Sequence, residues 1–272
     1  MKPSRPMLLC LLAFLLAVPA IAWAEGPPAA PAVLDWEPLA RLPDAEGFAG
    51  MFAGVSGDAL VVAGGANFPR GRPWEDGPKV WYDRVFVLTD PAGTWNTAGA
   101  LPRPLGYGVS VTAGGGVVCL GGGDADRHYA DVFRLEWDGK QVAVEELPPM
   151  PRPAAFFCGA AIEGVIYVAG GKDRPRPDRP DEGPERLPVA MKTFWALDLS
   201  RPAAERRWEE LEPWPGVGRM QAVAAVQQGK FFLLGGVGLA NARPGDDKRV
   251  FLTDCYGYDP QDGFAIIRPG GG

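Results

Sequence analysis

The chain has 272 residues, enough for one or two domains, with an ordinary apolar content. Its formal charge of -6 argues against non-specific nucleic-acid binding. The 37 glycines and 29 prolines are spread along the whole length, which favours many short strands and turns, and no long segment spaces apolar residues at helical intervals.

Met1 to Ala24 reads as a secretory signal peptide. Lys2 and Arg5 give a positive start, Met7 to Val18 is an unbroken apolar run, and Ala22-Trp23-Ala24 is a small-x-small cleavage signal before Glu25. The run is short for a bilayer span. Its removal takes away two cations and no acids, so the charge moves from -6 to -8 in an exported, periplasmic or secreted mature chain. Residues 25–33 are rich in Pro and Ala and read as a disordered lead-in. Three cysteines remain (Cys119, Cys158 and Cys255), an odd number among apolar neighbours, which suits buried thiols better than a disulfide framework.

A single pattern then recurs four times. GFAGMFAGVSGDALVVAGG, from Gly47, holds an apolar strand (Phe48 to Val55), a turn at Ser56-Gly57-Asp58, a second strand (Leu60 to Ala63) and a Gly pair. Val109 to Gly123, Phe156 to Gly171 and Ala222 to Gly236 repeat it. The Gly pairs fall roughly 50 to 65 residues apart, a period that belongs to propellers and other repeat arrays.

Each repeat extends to the four antiparallel strands that a propeller blade needs. Third strands are expected at Val80–Leu88, Ala130–Trp137, Thr193–Leu199 and near Val250–Tyr258. Fourth strands are expected around Trp95, at Val142–Leu147 and around Trp208, with no clear partner in the tail from Asp262. The blades fall near 47–98, 104–148, 153–211 and 217–260, and Leu34–Leu39, with Trp36, reads as an outer strand closing the last of them. The Gly pairs fit places where backbone crowding leaves no room for Cβ, and the Trp residues fit packing between blades. The fold class is therefore all-β, a β-propeller with about four recognisable blades. The Gly pair, the Asp or Tyr on the third strand (Tyr82-Asp83, Tyr129, Asp131) and the later Trp together resemble the kelch repeat.

GFAGMFAG and GGANFP, with the loop RGRPWEDGPKVWYD, go beyond generic kelch grammar. They resemble the bacterial N-acetylneuraminate epimerases, the sialic acid mutarotases. The resemblance runs over Leu34 to Pro260 in the order of a circularly permuted branch. It implies six blades, cofactor-free interconversion of sugar anomers, and a Gly-Glu…Pro-Gly-x-Arg loop whose Glu and Arg act on the sugar. Four blades are legible and that loop is absent. Gly183-Pro184-Glu185-Arg186 is only superficially similar and sits in an insertion of another blade. The expectation is a truncated relative. It is either a sugar-acid mutarotase or, as the alternative, a non-catalytic propeller that binds carbohydrate or protein.

Mutarotation needs a base for the anomeric hydroxyl proton, an acid for the ring oxygen, and preferably a cation for the sugar carboxylate. Arg103, Arg152 and Arg219 each precede an inner strand and read as three equivalent cations facing the funnel, Arg219 also matching a family arginine. The loops after the Gly pairs add Asn67, Arg72, Trp74, Glu75, Lys79, Asp124, Asp126, Arg127 and His128, with Arg243, Asp246 and Asp247. His128, the only histidine, is the acid-base candidate. Phe68, Trp74 and Tyr107 are candidate stacking surfaces for a sugar. Each has a plain structural counterpart: a paired surface cation, a loop histidine, an aromatic packed under a loop. Glu75 and Lys79 read equally as a surface ion pair. The Pro-rich, mixed-charge stretch from Lys172 to Ala190 reads as a flexible excursion. One histidine is too few for a copper-oxidase site, and no Cys/His metal cluster, Gly-x-Ser-x-Gly elbow or phosphate loop occurs. No cofactor or metal is expected. The expected partner is a small sugar acid, with no membrane contact after cleavage, and self-association is an open alternative.

Overall fold

The computed structural model describes residues 36–172, 190–239 and 249–267. The signal-peptide and lead-in segments, most of the Lys172–Ala190 excursion, Arg243, Asp246 and Asp247 lie outside the described residues. Everything below concerns the compact unit Leu39–Gly272.

The first blade is built from β1 (Phe52–Ser56), β2 (Ala59–Ala63), a small hairpin of β3 (Ala66–Asn67) and β4 (Val80–Trp81), then β5 (Arg84–Leu88) and β6 (Asn96–Ala100). The second holds β7 (Val109–Ala113), β8 (Gly116–Leu120), β9 (Val132–Trp137) and β10 (Val142–Leu147). The third holds β11 (Cys158–Ile162), β12 (Val165–Ala169), β13 (Phe194–Asp198) and β14 (Trp208–Glu210). The fourth holds β15 (Val223–Gln227), β16 (Lys230–Leu234), the hairpin β17 (Val237–Leu239) with β18 (Arg249–Phe251), then β19 (Cys255–Asp259) and β20 (Gly263–Ile267). The sheet orders are β1-β2-β5-β6, β7-β8-β9-β10, β11-β12-β13-β14 and β15-β16-β19-β20, all antiparallel. These are four blades of a kelch-type β-propeller.

Alternation along the strands places one apolar face of each sheet against its neighbour, so the core lies between blades. Phe52, Val61, Val85, Val117 and Phe133 fill the first seam. Val111, Val118, Ile166, Trp195 and Leu197 fill the second. The third is aromatic, with Tyr167, Phe194, Phe231 and Tyr258. Inner strand β1 packs on β7, β7 on β11, and β11 on β15; no such packing joins β15 to β1 among the described residues.

Several expected boundaries move. The expected third strands Val80–Leu88 and Val250–Tyr258 are each two pieces, because a hairpin arm (β4, β18) ends before the chain joins the blade sheet (β5, β19). The first inner strand starts at Phe52 rather than Phe48, because Gly50 takes φ +65° and breaks the extended run. Residues 36–40 form no strand, and Leu34 and Asp35 lie outside the described residues. The outer place in the fourth blade is taken by β20, which sequence reading overlooked. The turn at Asp259 to Gly263 starts it: Gln261 N–H donates to Asp259 Oδ1 (2.9 Å), and Gly263 adopts φ +82°. Phe264 then packs its ring 4.8 Å from Phe194 and 5.0 Å from Tyr258.

Candidate functional site at the blade mouths

The Gly pair organises the end of every blade that carries the β2–β3-type connections. The first Gly of each pair (64, 121, 170, 235) has φ between +52° and +68°, which excludes ordinary side chains. A Cβ on Gly121 would lie 2.7 Å from Ala154 O. The second Gly donates its N–H across the seam: Gly65 to Leu105 O, Gly122 to Ala154 O and Gly171 to Arg219 O, each at 2.8 Å. Leu105, Ala154 and Arg219 are therefore the equivalent positions.

Two residues later each blade places one residue in the left-handed region, Gly50, Tyr107, Phe156 and Gln221, with φ of 65°, 63°, 59° and 54°. These residues are wired to one another. Tyr107 N–H donates to Gly50 O (2.7 Å), Phe156 N–H to Tyr107 O (2.8 Å), and Gln221 N–H to Phe156 O (2.7 Å). A continuous backbone chain thus links the mouths of all four blades, and it points the side chains of Tyr107 and Phe156 toward one another. Their ring centroids are 5.0 Å apart. Non-glycine residues in this conformation are uncommon, and three in a row at one surface mark a built feature.

Around these rings gather groups from the neighbouring loops. Lys79 Nζ lies 4.1 Å from the Tyr107 ring centroid, 5.1 Å from that of Trp81 and 5.8 Å from that of Phe68. His128 packs edge-on to Phe156 at 6.1 Å. It is only 8% exposed, and its Nδ1 is 2.9 Å from Lys172 O. A carbonyl only accepts, so Nδ1 carries the proton, and in the neutral ring the lone pair belongs to Nε2. Beside it, Tyr129 donates a short hydrogen bond to Asp124, Arg127 Nε donates to Tyr129 Oη (3.4 Å), and the Arg127 guanidinium lies 5.2 Å from the Tyr129 ring. Burial acts to raise the Asp124 carboxyl, but the Tyr129 bond, the Arg127 and Asp126 amides and the Arg127 charge outweigh it and hold the group below the ordinary carboxylate range.

The other sequence candidates sit elsewhere. Arg219 is fully buried. Its Nη2 pairs with Asp254 Oδ2 (2.8 Å), its Nη1 donates to Gly235 O (2.8 Å), and its guanidinium lies between Trp214 and Tyr256, 5.3 and 5.1 Å from their ring centroids. A sugar carboxylate would have to displace Asp254 to reach it. Arg103 pairs with Asp131 (3.1 Å) over the Tyr129 ring (4.5 Å), and Arg152 lies exposed, 5.9 Å from the Trp195 ring. The three arginines are not equivalent, contrary to the expectation from sequence. Counting from the Gly-pair bonds, Arg103 and Arg152 align with Val217, whereas Arg219 aligns with Leu105 and Ala154. Asn67 is buried and fully employed, donating to Asp44 Oδ1 (3.0 Å) and Gly47 O (2.8 Å) and accepting from Tyr82 Oη (2.8 Å). Glu75 does not pair with Lys79. Its Oε2 accepts the Arg72 N–H (2.9 Å), while Arg72 Nη1 pairs with Glu46 (2.7 Å). Trp74 is 80% exposed and packs under no loop.

The structure thus brings together Phe68, Lys79, Tyr107, Arg127 and His128 from the sequence list, and adds Phe156 and Trp81. Phe156 was legible as the residue standing where Gly50 and Tyr107 stand before the other inner strands. The arrangement offers an ammonium, aromatic faces and a proton-transfer group on one surface. Among the described residues no cluster of His, Cys, Asp and Glu has the grouping to hold a metal.

Residues 29–144 match the family model of N-acetylneuraminate epimerase. The N-acetylneuraminate epimerase of Brucella suis is 42% identical over 123 residues, which is 42% of this chain and 31% of the relative. That of Yersinia pestis (strain Pestoides F) is 37% identical over 129 residues, 42% of this chain and 32% of the relative. The matched region therefore spans about a third of the length of these curated relatives. Among solved structures, that of YjhT superposes with a TM-score of 0.62 at 15% identity, covering 83% of this chain and 70% of that one, a likeness of fold.

Proposed function

We propose that this chain, whose residues 29–144 match the N-acetylneuraminate epimerase family, speeds exchange between the anomers of N-acetylneuraminate or a closely related sugar acid. The match over the first two blades carries the reading, since those blades contribute Lys79, Tyr107, Arg127 and His128. The substrate is a small anionic sugar, held at the blade mouths with its apolar face on Tyr107 and Phe156.

The chemistry asked of the protein is modest. A base removes the anomeric hydroxyl proton as the bond from the anomeric carbon to the ring oxygen breaks, and an acid delivers a proton to that oxygen. Rotation about the freed carbonyl-bearing bond and the reverse steps close the other anomer. His128 is our candidate for the proton-transfer group: its Nδ1 is held on Lys172 O and its ring packs edge-on to Phe156. We assign the chain to the periplasm or the exterior on the pattern of Lys2, Arg5, Met7 to Val18 and Ala22-Trp23-Ala24.

Exchange of N-acetylneuraminate anomers, followed by NMR line shape or saturation transfer against the spontaneous rate, tests the activity. Wild-type protein accelerates exchange and His128→Gln loses about a hundredfold or more of that acceleration, the usual share of a positioned acid or base. Folded wild-type protein that leaves the spontaneous rate unchanged overturns the proposal.

A further inference from the structure

Lys79 is a cation with its position set and its charge unanswered. Three half-buried rings, from Phe68, Trp81 and Tyr107, surround its ammonium. Among the described residues no carboxylate lies within ion-pair distance of it. Of the acids in the flanking loops, Glu75 is engaged with the Arg72 backbone, Glu46 with the Arg72 guanidinium and Asp44 with Asn67, and the exposed Asp76 forms no ion pair with Lys79. An exposed lysine ordinarily surrenders rotamer entropy when it fixes a ligand. Here the cation–π contacts have already restricted the stem, so less is lost on binding.

The closest ring is itself held in place. Tyr107 adopts φ +63°, anchored by its N–H bond to Gly50 O. Its ring lies over Gly50, where a Cβ would come within 2.5 Å of Tyr107 Cδ1. Gly50 therefore serves as the floor on which the ring rests, and only glycine leaves that space. The indole N–H of Trp81 is buried with no acceptor among the described residues, a second unanswered donor on the residue beside Lys79.

We infer that Lys79 is the carboxylate-binding residue of this site, a point charge pre-positioned by its aromatic cage to receive the anionic group of a sugar acid, with Tyr107 as the platform beneath the ring. This rests on the reading of the site as a sugar-acid site. It assigns the task of recognising the carboxylate to Lys79 rather than to Arg219, whose charge Asp254 already answers at 2.8 Å.

The test compares Lys79→Met, which keeps the apolar stem and loses the charge, with Lys79→Arg and wild type. N-acetylneuraminate and its uncharged methyl ester are the two probes. Lys79→Met raises KM for the acid about tenfold or more, changes kcat little, and leaves KM for the ester where it was, while Lys79→Arg restores most of the loss. Added salt weakens acid binding to wild type more than to Lys79→Met. An acid-to-ester KM ratio that is the same in wild type and Lys79→Met overturns the inference. If wild type accelerates neither sugar, the epimerase reading fails by itself. Equilibrium dialysis of acid and ester then decides Lys79: an acid preference lost in Lys79→Met supports it, and no preference overturns it.

Discussion

At the scale of single residues, burial and hydrogen bonding separate structural from chemical roles better than residue type does. Arg219, the sequence's leading cation, is a strut. It ties the strand entry at Met220 to Gly235 and Asp254 and fills the space between Trp214 and Tyr256. Replacing it with Leu keeps the bulk but leaves the Asp254 carboxylate with the Tyr256 hydroxyl in place of the buried guanidinium, and takes the Nη1 donor from Gly235 O. We expect a loss of about 2–3 kcal/mol in urea unfolding, less than for a wholly enclosed pair because Asp254 is partly exposed. The pH dependence follows. Burial pushes the Asp254 carboxyl up, but the bonds from Arg219 and Tyr256 and the Arg219 charge prevail and hold it below its ordinary value. The unfolded chain therefore takes up this proton first as pH falls. The Asp254 contribution is complete above the ordinary carboxylate value of about 3.9 and is lost as pH drops through the lower folded value. The gap in stability between wild type and Arg219→Leu should narrow below about pH 4, measured by urea unfolding at stepped pH; a constant gap would refute the assignment.

At the scale of elements, the blade is a unit only when its fourth strand is present, because each seam needs both sheet faces covered. β20 supplies this for the fourth blade through a single large side chain. Phe264 joins Phe194, Tyr258 and Trp214 at ring-centroid distances of 4.8, 5.0 and 6.3 Å. Phe264→Ala should cost about 2 kcal/mol, below the roughly 3–5 kcal/mol of a wholly buried phenylalanine because this ring is half-buried. Near-ultraviolet circular dichroism of the aromatic cluster and thermal melting report it, with a fall in Tm of about 4–8 °C. An unchanged melt would mean that β20 is not part of the cooperative unit.

At the scale of the whole propeller unit, the four inner strands differ in their cover. On β7 Val109 and Val111 are buried, whereas on β15 Val223 is 59% and Val226 38% exposed. Val55 on β1 is also exposed, and β1 and β15 do not pack on each other among the described residues. Apolar strand faces left open in this way favour association with other chains. Sedimentation velocity over a concentration series should show self-association of the wild type, reduced by Val223→Glu and further by Val223→Glu with Val226→Lys. A wild type that stays monomeric throughout would overturn this.

The sequence by itself determined the repeat. Gly pairs recur because each opens a left-handed turn, pressed against the next blade's backbone at Gly64, Gly121 and Gly170 and against Leu252 O of its own blade at Gly235, so their spacing declares four equivalent turns without any structure. The apolar alternation of the inner strands was legible for the same reason, since burial in a seam demands it. The fourth strand of the last blade was not: FAII after a DPQDG turn is short, and only pairing with β19 and packing on Phe194 identify it. The site lay furthest from sequence reading. Whether Lys79 pairs with Glu75 or faces Tyr107, and whether Arg219 meets solvent or Asp254, depends on which loops the blade seams bring together. Those distances arise between residues far apart in the chain, and a charge or a ring acquires its role only from the neighbours the tertiary fold supplies.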